Sequence, residues 1–270
     1  MYKRQLRHCV DLALEWVGYN TVVGRWAEEI TVQRIARDAA GALDDPVAVV
    51  RACANLARAL IETGNQDEAD EPIDVMTTHM HRLSDADRAR AELNLSWLRE
   101  QQHHIVKALQ HGRNALTIYR SLRRPDKIGL ALGYVGWCLA LLGEYNESIA
   151  MCKEALPILR ETGERRFEAD LWSTIGYARQ RLGDLDAAVA GYEKALRLLG
   201  EVHDDYGAAG VWDYLASAQL ERGDAEQARA SWTRAAELFG ALRVARAEQM
   251  RAKAESVALP GTRTAHRAGT

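Results

Sequence analysis

Phenylalanine is almost missing from this chain, with 2 in 270 residues, and proline is scarce, with 5. Alanine, leucine, arginine and glutamate dominate instead, which disfavours β-structure and leaves an all-helical chain. The 4 cysteines, Cys9, Cys53, Cys138 and Cys152, form no C-x-x-C pair and no dense framework. A disulfide scaffold is therefore excluded, and Cys138 and Cys152 fall at helix positions suited to small buried apolar side chains. No apolar run is long enough to span a bilayer and no secretory signal is present, so the expected address is cytoplasmic with no membrane partner. A net charge of -3 supplies no long-range field toward nucleic acid, and no direct nucleic-acid contact is expected. There is no G-x-x-x-x-G-K-[ST] loop, no G-x-G-x-x-G after a strand and no H-E-x-x-H pattern. Of His79, His81, His103, His104 and His111, the adjacent pair His103-His104 and the i, i+2 pair His79 and His81 point to different helix faces, so a shared metal would need a folded loop. Serine and aspartate form no nucleophile elbow. No catalytic residue, cofactor or metal site is expected.

With 47% apolar and 27% charged residues the chain is suited to a soluble fold, and what it does contain is a pattern. In LWSTIGYARQRLGDLDAAVAGYEKALRLL (171–199), the residues Trp172, Ile175, Gly176, Gly183, Ala188, Tyr192 and Ala195 follow the spacing W-x2-L-G-x2-Y…A-x3-F, with Arg179 replacing the first tyrosine. The stretch resembles a tetratricopeptide repeat. Its spacing predicts two amphipathic helices meeting at a Gly183-Asp184 turn. Gly176 and Ala188 are small so that the backbones can approach, and Trp172 and Tyr192 fill either end. The turn glycine recurs as Gly24, Gly64, Gly143, Gly183 and Gly223, with His103 between Gly64 and Gly143, at separations of 40, 39, 40, 40 and 40 residues. The small residue of the second helix tracks it as Ala69, Ala108, Ser148, Ala188 and Ala228, and a further one as Ala36, Ala115, Ala155, Ala195 and Ala235. The close-approach position of the first helix reads Ala57, Ser96, Gly136, Gly176 and Ala216, and Trp212 repeats Trp172 one period on. Several independent positions keeping one period are not the chance product of an alanine-rich chain. The expected fold is all-α, a right-handed tetratricopeptide superhelix (α-solenoid) of about six helix-turn-helix units.

Residues 1–43 read as a worn first repeat, with helices over 6–23 and 26–40. Glu29 stands where alanine is expected, and Gln33 and Arg37 replace bulky apolar residues. MYKRQ falls outside the pattern and reads as foreign sequence fused to an open reading frame, so the native protein is expected to continue upstream. Residues 44–257 form the array proper, opened by Asp45 as N-cap with Pro46 at the first helical position. Helices are expected over 46–63, 66–81 and, from an N-cap at Ser84, to Gln101. His103-His104 in place of Gly-Asp costs stability, since a left-handed residue is cheapest as glycine. After the connector Arg123-Arg124-Pro125-Asp126, three units run from Lys127 to Leu242, and a helix over 244–257 caps the last apolar face. The 40-residue period exceeds the usual 34, and the extra length is expected after the second helix, in ETGERR and GEVHDDY, as longer helices or wider connectors. Residues 258–270 are expected to be disordered.

Six residues before each turn come Gly18, Arg58, Trp97, Trp137, Tyr177 and Ser217, on the face that such arrays turn toward a groove. Trp97, Trp137 and Tyr177 form a ladder on neighbouring first helices, with Asp170, Arg181, Asp213 and Glu221 on the same side. Aromatic rings among charges suit a protein or peptide ligand; equally, the rings could pack between first helices and meet no ligand. The lysine and asparagine pattern that clamps a chaperone's terminal carboxylate is absent.

From Gly163 onward the chain resembles the C-terminal repeat block of actinobacterial transcriptional regulators, of the antibiotic regulatory protein (SARP) type and related regulators with a nucleotide-switch (NB-ARC) ATPase. The shared features are the Gly-Glu/Asp connectors, the Asp213 helix, the Gly-Asp turn, the Ala-Arg-Ala-x-Trp run at Ala228 to Trp232 and a short Glu/Arg-rich closing helix. The resemblance implies a sensor or autoinhibitory arm, whose partners include other domains of its own regulator. In that family winged-helix and activator domains bind DNA and an ATPase switches; neither segment is found in this sequence. The function expected is non-enzymatic binding, with a stand-alone scaffold or peptide-pheromone receptor as the alternative.

Overall fold

The computed structural model describes residues 2–257 apart from 24, 243 and 245. The expected turn at Gly24 and the tail 258–270 lie outside the described residues. Among those described there are 13 α-helices and no strand. They are α1 (Tyr2–Val23), α2 (Trp26–Ala42), α3 (Pro46–Glu62), α4 (Asp70–His79), α5 (Asp85–Gln101), α6 (Ile105–Ser121), α7 (Pro125–Leu141), α8 (Tyr145–Glu161), α9 (Arg165–Arg181), α10 (Leu185–Glu201), α11 (Asp205–Arg222), α12 (Ala225–Ala241) and α13 (Arg246–Ser256). Taken in pairs they give the six expected units and a closing helix.

The unit is simpler than its sequence suggests. From α7 to α11 a left-handed residue follows second helices as well as first ones: Gly143 (φ 88°), Gly163 (74°), His203 (55°) and Gly223 (98°) bracket Gly183 (81°) at 20-residue steps. The next backbone N–H then closes onto the helix just ended, Glu144 to Leu139 O at 2.9 Å, Glu164 to Leu159 O at 3.0 Å, Asp204 to Leu199 O at 3.0 Å. This is the Schellman closure, which satisfies carbonyls a helix end leaves free. The 40-residue unit is thus two like halves, most helices spanning 17 residues. The extra length does not widen the connectors, because ETGERR and GEVHDDY are mostly helix ends. Four of the nine left-handed turns among the described residues hide from a glycine count, because Asp44 (φ 56°), His103 (61°), Arg123 (52°) and His203 carry the conformation despite its cost.

Contacts divide the chain into two units, Met1–Cys138 and Leu139–Thr270, with the division inside α7. In the N-terminal unit, α1 begins at Tyr2, so residues 2–5 are helical and not an extension outside the fold. The helix expected over 66–81 is broken into a 3-10 turn (Asp67–Ala69), α4, and a second 3-10 turn (Met80–Arg82). Pro72 fits this start: it falls in the first turn of α4, where its missing N–H costs no helical hydrogen bond. Asp45 and Ser84 cap α3 and α5, accepting from Ala48 N (3.1 Å) and Asp87 N (3.2 Å). The core gathers Val10, Leu56, Leu60, Ile73, Met76, Leu95 and Leu98. Two of the worn positions of α2, Glu29 and Gln33, are buried polar residues. Gln33, fully buried, donates to Ala13 O and to Glu29 Oε1, both at 3.0 Å, while its Oε1 accepts no hydrogen bond among the described residues.

In the C-terminal unit the backbones of α9 and α10 touch through glycine. A Cβ on Gly176 would stand 2.8 Å from Tyr192 Cε1, and one on Gly191 would stand 3.2 Å from Gly176 Cα. Ala188, Ala195 and Ala228, as expected of their repeat positions, are fully buried. At the carboxyl end α13 sets Ala247, Met250 and Ala254 against Trp232 and Phe239, covering the last apolar face.

Candidate binding surface

The C-terminal unit builds one aromatic surface from two consecutive first helices. Tyr177 on α9 meets Tyr214 on α11 edge to face, with ring centroids 6.1 Å apart, and Tyr214 stacks on Tyr192 of α10 at 6.0 Å. Tyr192 is fully buried and its hydroxyl donates to Gln180 Oε1 at 2.9 Å. Burial pushes that phenol far above its ordinary range, so it stays a neutral donor. Gln180 in turn donates from Nε2 to Glu221 Oε1 at 2.7 Å, tying α9 to α11. Tyr177 and Tyr214 are therefore rooted in the core and half-open to solvent. The same rings thus pack against the core and keep part of their surface open to solvent.

Charges frame the rings. Asp170 lies seven residues before Tyr177 and so on the same face of α9. It is exposed, yet the protein mass around it pushes its carboxyl up to about 6 against the pull of Arg166. Arg166 itself donates to Asp204 Oδ2 at 2.7 Å. Arg181, also exposed, donates from Nε to Tyr145 Oη at 3.2 Å. Asp213 departs from its expected place on an open groove. It is only 9% exposed and accepts from Trp232 Nε1 at 2.8 Å and Lys253 Nζ at 2.7 Å, so it fastens α13 to the array. A buried carboxylate needs such donors, and α13 supplies the cation.

The remaining candidates, apart from Gly143, belong to the N-terminal unit. Arg58 stands 5.9 Å over the Trp26 ring, and burial lowers its pKa against the opposing pull of Glu29 and Glu62. Trp97 is half-buried and packs against the N-terminal core. Trp137 donates from Nε1 to Glu100 Oε1 at 3.2 Å. Gly64 (φ 81°) and Gly143 occupy left-handed turn positions, and Gly136 is buried in α7. Sequence reasoning missed Tyr214 and Gly191. Tyr214 sits nine residues before its turn, where Tyr134 also sits, so a search at one fixed offset passes over it. Among the described residues no group of His, Cys, Asp or Glu is placed to hold a metal, and no helix is long and apolar enough to cross a membrane.

Residues 127–201 match the family model for the tetratricopeptide repeat. The chain carries tetratricopeptide repeats. Solved repeat structures match nearly its whole length. The signal transduction ATPase with numerous domains and a tetratricopeptide repeat sensor from Pyrococcus horikoshii matches at a TM-score of 0.65 and 18% identity, over 94% of this chain and 43% of that one. A Rap protein complexed with competence and sporulation factor matches at 0.66 and 13%, over 89% and 68%. BtubC from P. vanneervenii matches at 0.59 and 17%, over 93% and 98%. At such identities the likeness is one of fold alone, and the chain spans less than half of the ATPase. No curated protein matches it by sequence.

Proposed function

We propose that these repeats bind a protein or peptide segment across the first-helix face, and that they form the sensor arm of a bacterial transcriptional regulator acting in the cytoplasm. The observation that carries the binding reading is the Tyr177–Tyr214 pair, anchored below by Tyr192 and Gln180 and flanked by open Asp170. Rings already held by the core lose little conformational freedom when a ligand covers them, so burial of their free faces goes mostly into affinity. The open carboxylate favours a segment with a cationic side chain. The sensor assignment draws on the resemblance to regulator repeat blocks and on a sensor role for such repeats in the Pyrococcus ATPase.

The test is a pull-down with the chain from its native host, followed by titration of the recovered partner against Tyr177→Ala. The expected loss of affinity is about 2 kcal/mol, in the range of an aromatic anchor, with the helical circular dichroism spectrum kept. A partner that is an ATPase or DNA-binding segment supports the regulatory arm, whereas a short free peptide supports a stand-alone receptor. Unchanged affinity in Tyr177→Ala removes the surface from consideration.

A further inference from the structure

The first helix leaves open a face that its counterparts bury. Leu12 and Trp16 of α1 are 44% and 57% exposed, whereas the residues at the same repeat positions in α3 and α5, Ala52 and Leu56, Ala91 and Leu95, are buried. In α3 and α5 these positions are covered within the array; in α1 nothing among the described residues covers them. The other terminal helix differs. α13 exposes Glu248, Arg251 and Glu255, the polar outer surface that a terminal repeat needs. α1 and α13 thus present unlike outer faces, apolar on one and charged on the other.

Two features of α1 select the occupant. Exposed Gln5, Cys9, Leu12 and Trp16 are spaced four, three and four residues apart, the seam spacing of paired helices. Each is preceded by an exposed charged or titratable residue, Arg4, His8, Asp11 and Glu15, so one flank runs from basic to acidic. Laid antiparallel on itself about a point between Cys9 and Val10, this flank sets Arg4 opposite Glu15 of the second copy and His8 opposite Asp11. Parallel pairing would instead set Arg4 on Arg4 and Glu15 on Glu15. We propose that α1 is a self-association face, on which a second copy of this chain docks its own α1 antiparallel around a two-fold axis. Such an isologous contact closes on itself and stops at a dimer.

Sedimentation of the full chain at micromolar concentration is expected to give a dimer. Cys9 lies beside the axis and is the exposed cysteine, the other three being buried. A short bis-maleimide, whose two ends each add one thiol, is therefore expected to join two wild-type chains and to leave Cys9→Ser uncoupled. Glu15→Arg faces Arg4 of the second copy and is expected to weaken the dimer about tenfold or more. Adding Arg4→Glu restores it, because the pair is then reversed and not repelled. Both charge variants sit on the outer flank and are expected to keep the helical spectrum. A monomeric wild type, coupling that survives Cys9→Ser, or a double variant no tighter than Glu15→Arg overturns the proposal, and a monomer would mean that the face receives a different molecule.

Discussion

Substituting Gly176 by alanine probes the aromatic surface from beneath. In a helix interior alanine is ordinarily the better residue, by about 0.5–1 kcal/mol. Here the new methyl would lie 2.8 and 2.9 Å from two carbons of the Tyr192 ring and 3.2 Å from Ala188 O. Tyr192 cannot step aside, because it is fully buried, held at its hydroxyl by Gln180 and stacked on Tyr214. Overpacking of this kind costs about 1–3 kcal/mol, so the net loss is about 0–2.5 kcal/mol after the helix preference is credited. Gly210 on α11 supplies the control, since a Cβ there would meet no atom within 4 Å. Gly210→Ala should gain about 0.5–1 kcal/mol. Urea unfolding followed at 222 nm, with slopes compared to confirm that only stability changed, should move the two midpoints in opposite directions. A Gly176→Ala midpoint at or above wild type would refute the reasoning, because it would mean that Tyr192 yields freely. The aromatic surface could not then be called preorganised.

Ala188→Leu should destabilise by about 1–3 kcal/mol while Ala190→Leu changes little, since Ala188 is fully buried and Ala190 exposed; equal urea midpoints would mean that the helix crossing is wrongly located. His103→Gly should raise stability by about 0.5–1 kcal/mol by relieving a left-handed histidine at φ 61°, and a lower melting temperature would point to an unseen role for the imidazole. Asp170 has a carboxyl raised to about 6 from an ordinary 3.8, so the folded state disfavours its ionised form. Stability from this group is lost as pH rises from about 4 through 6 and the penalty is then constant. Asp170→Asn should therefore raise the melting temperature at pH 7, modestly because solvent reaches the group, and leave it unchanged at pH 3.5. An equal effect at both values would exclude the titration.

The repeat was legible because its constraints are local and repeat at one period: a small residue where backbones cross, a glycine where φ turns positive. The connectors escaped the same reading because His203 and Arg123 tolerate the left-handed state that glycine only prefers, so glycine marks some turns and not others. Gly191 escaped because the repeat pattern fixes one close-approach position per helix, whereas contact between α9 and α10 is made by two glycines facing each other. The packing of Trp97 against the N-terminal core could not be told from groove exposure, since a ring six residues before a turn suits either. What decided it was the neighbouring side chains, which the offset does not contain.

Polar contacts between units follow a trend that bears on the ligand. Consecutive units stack equivalent surfaces, so many partners lie close to one period apart: Asp213 and Lys253 at 40 residues, Gln180 and Glu221 at 41, Arg166 and Asp204 at 38, Trp137 and Glu100 at 37, Arg34 and Glu68 at 34, with Arg246 reaching Asp213 from 33 and Arg99 reaching Asp70 from 29. Side-chain length and rotamer set the few residues of slack, which is why the window can be read from sequence and the partner cannot. For Asp213 the window 247–254 contains Arg251 and Lys253, so a cation from the closing helix was available to claim it. For Asp170 the window 204–211 opens with Asp204 and Asp205 and holds no lysine or arginine, and neither does 129–136. The array thus provides no cation of its own one period from Asp170, and leaves its carboxylate open two turns from the Tyr177 ring. A ligand that brings a lysine or arginine to this point supplies what the repeat omits. Its affinity should fall in Asp170→Asn and fall again in wild type as pH drops below about 6. Affinity that is flat across that range, with Tyr177→Ala still impaired, would assign the rings to the ligand and leave Asp170 outside the contact.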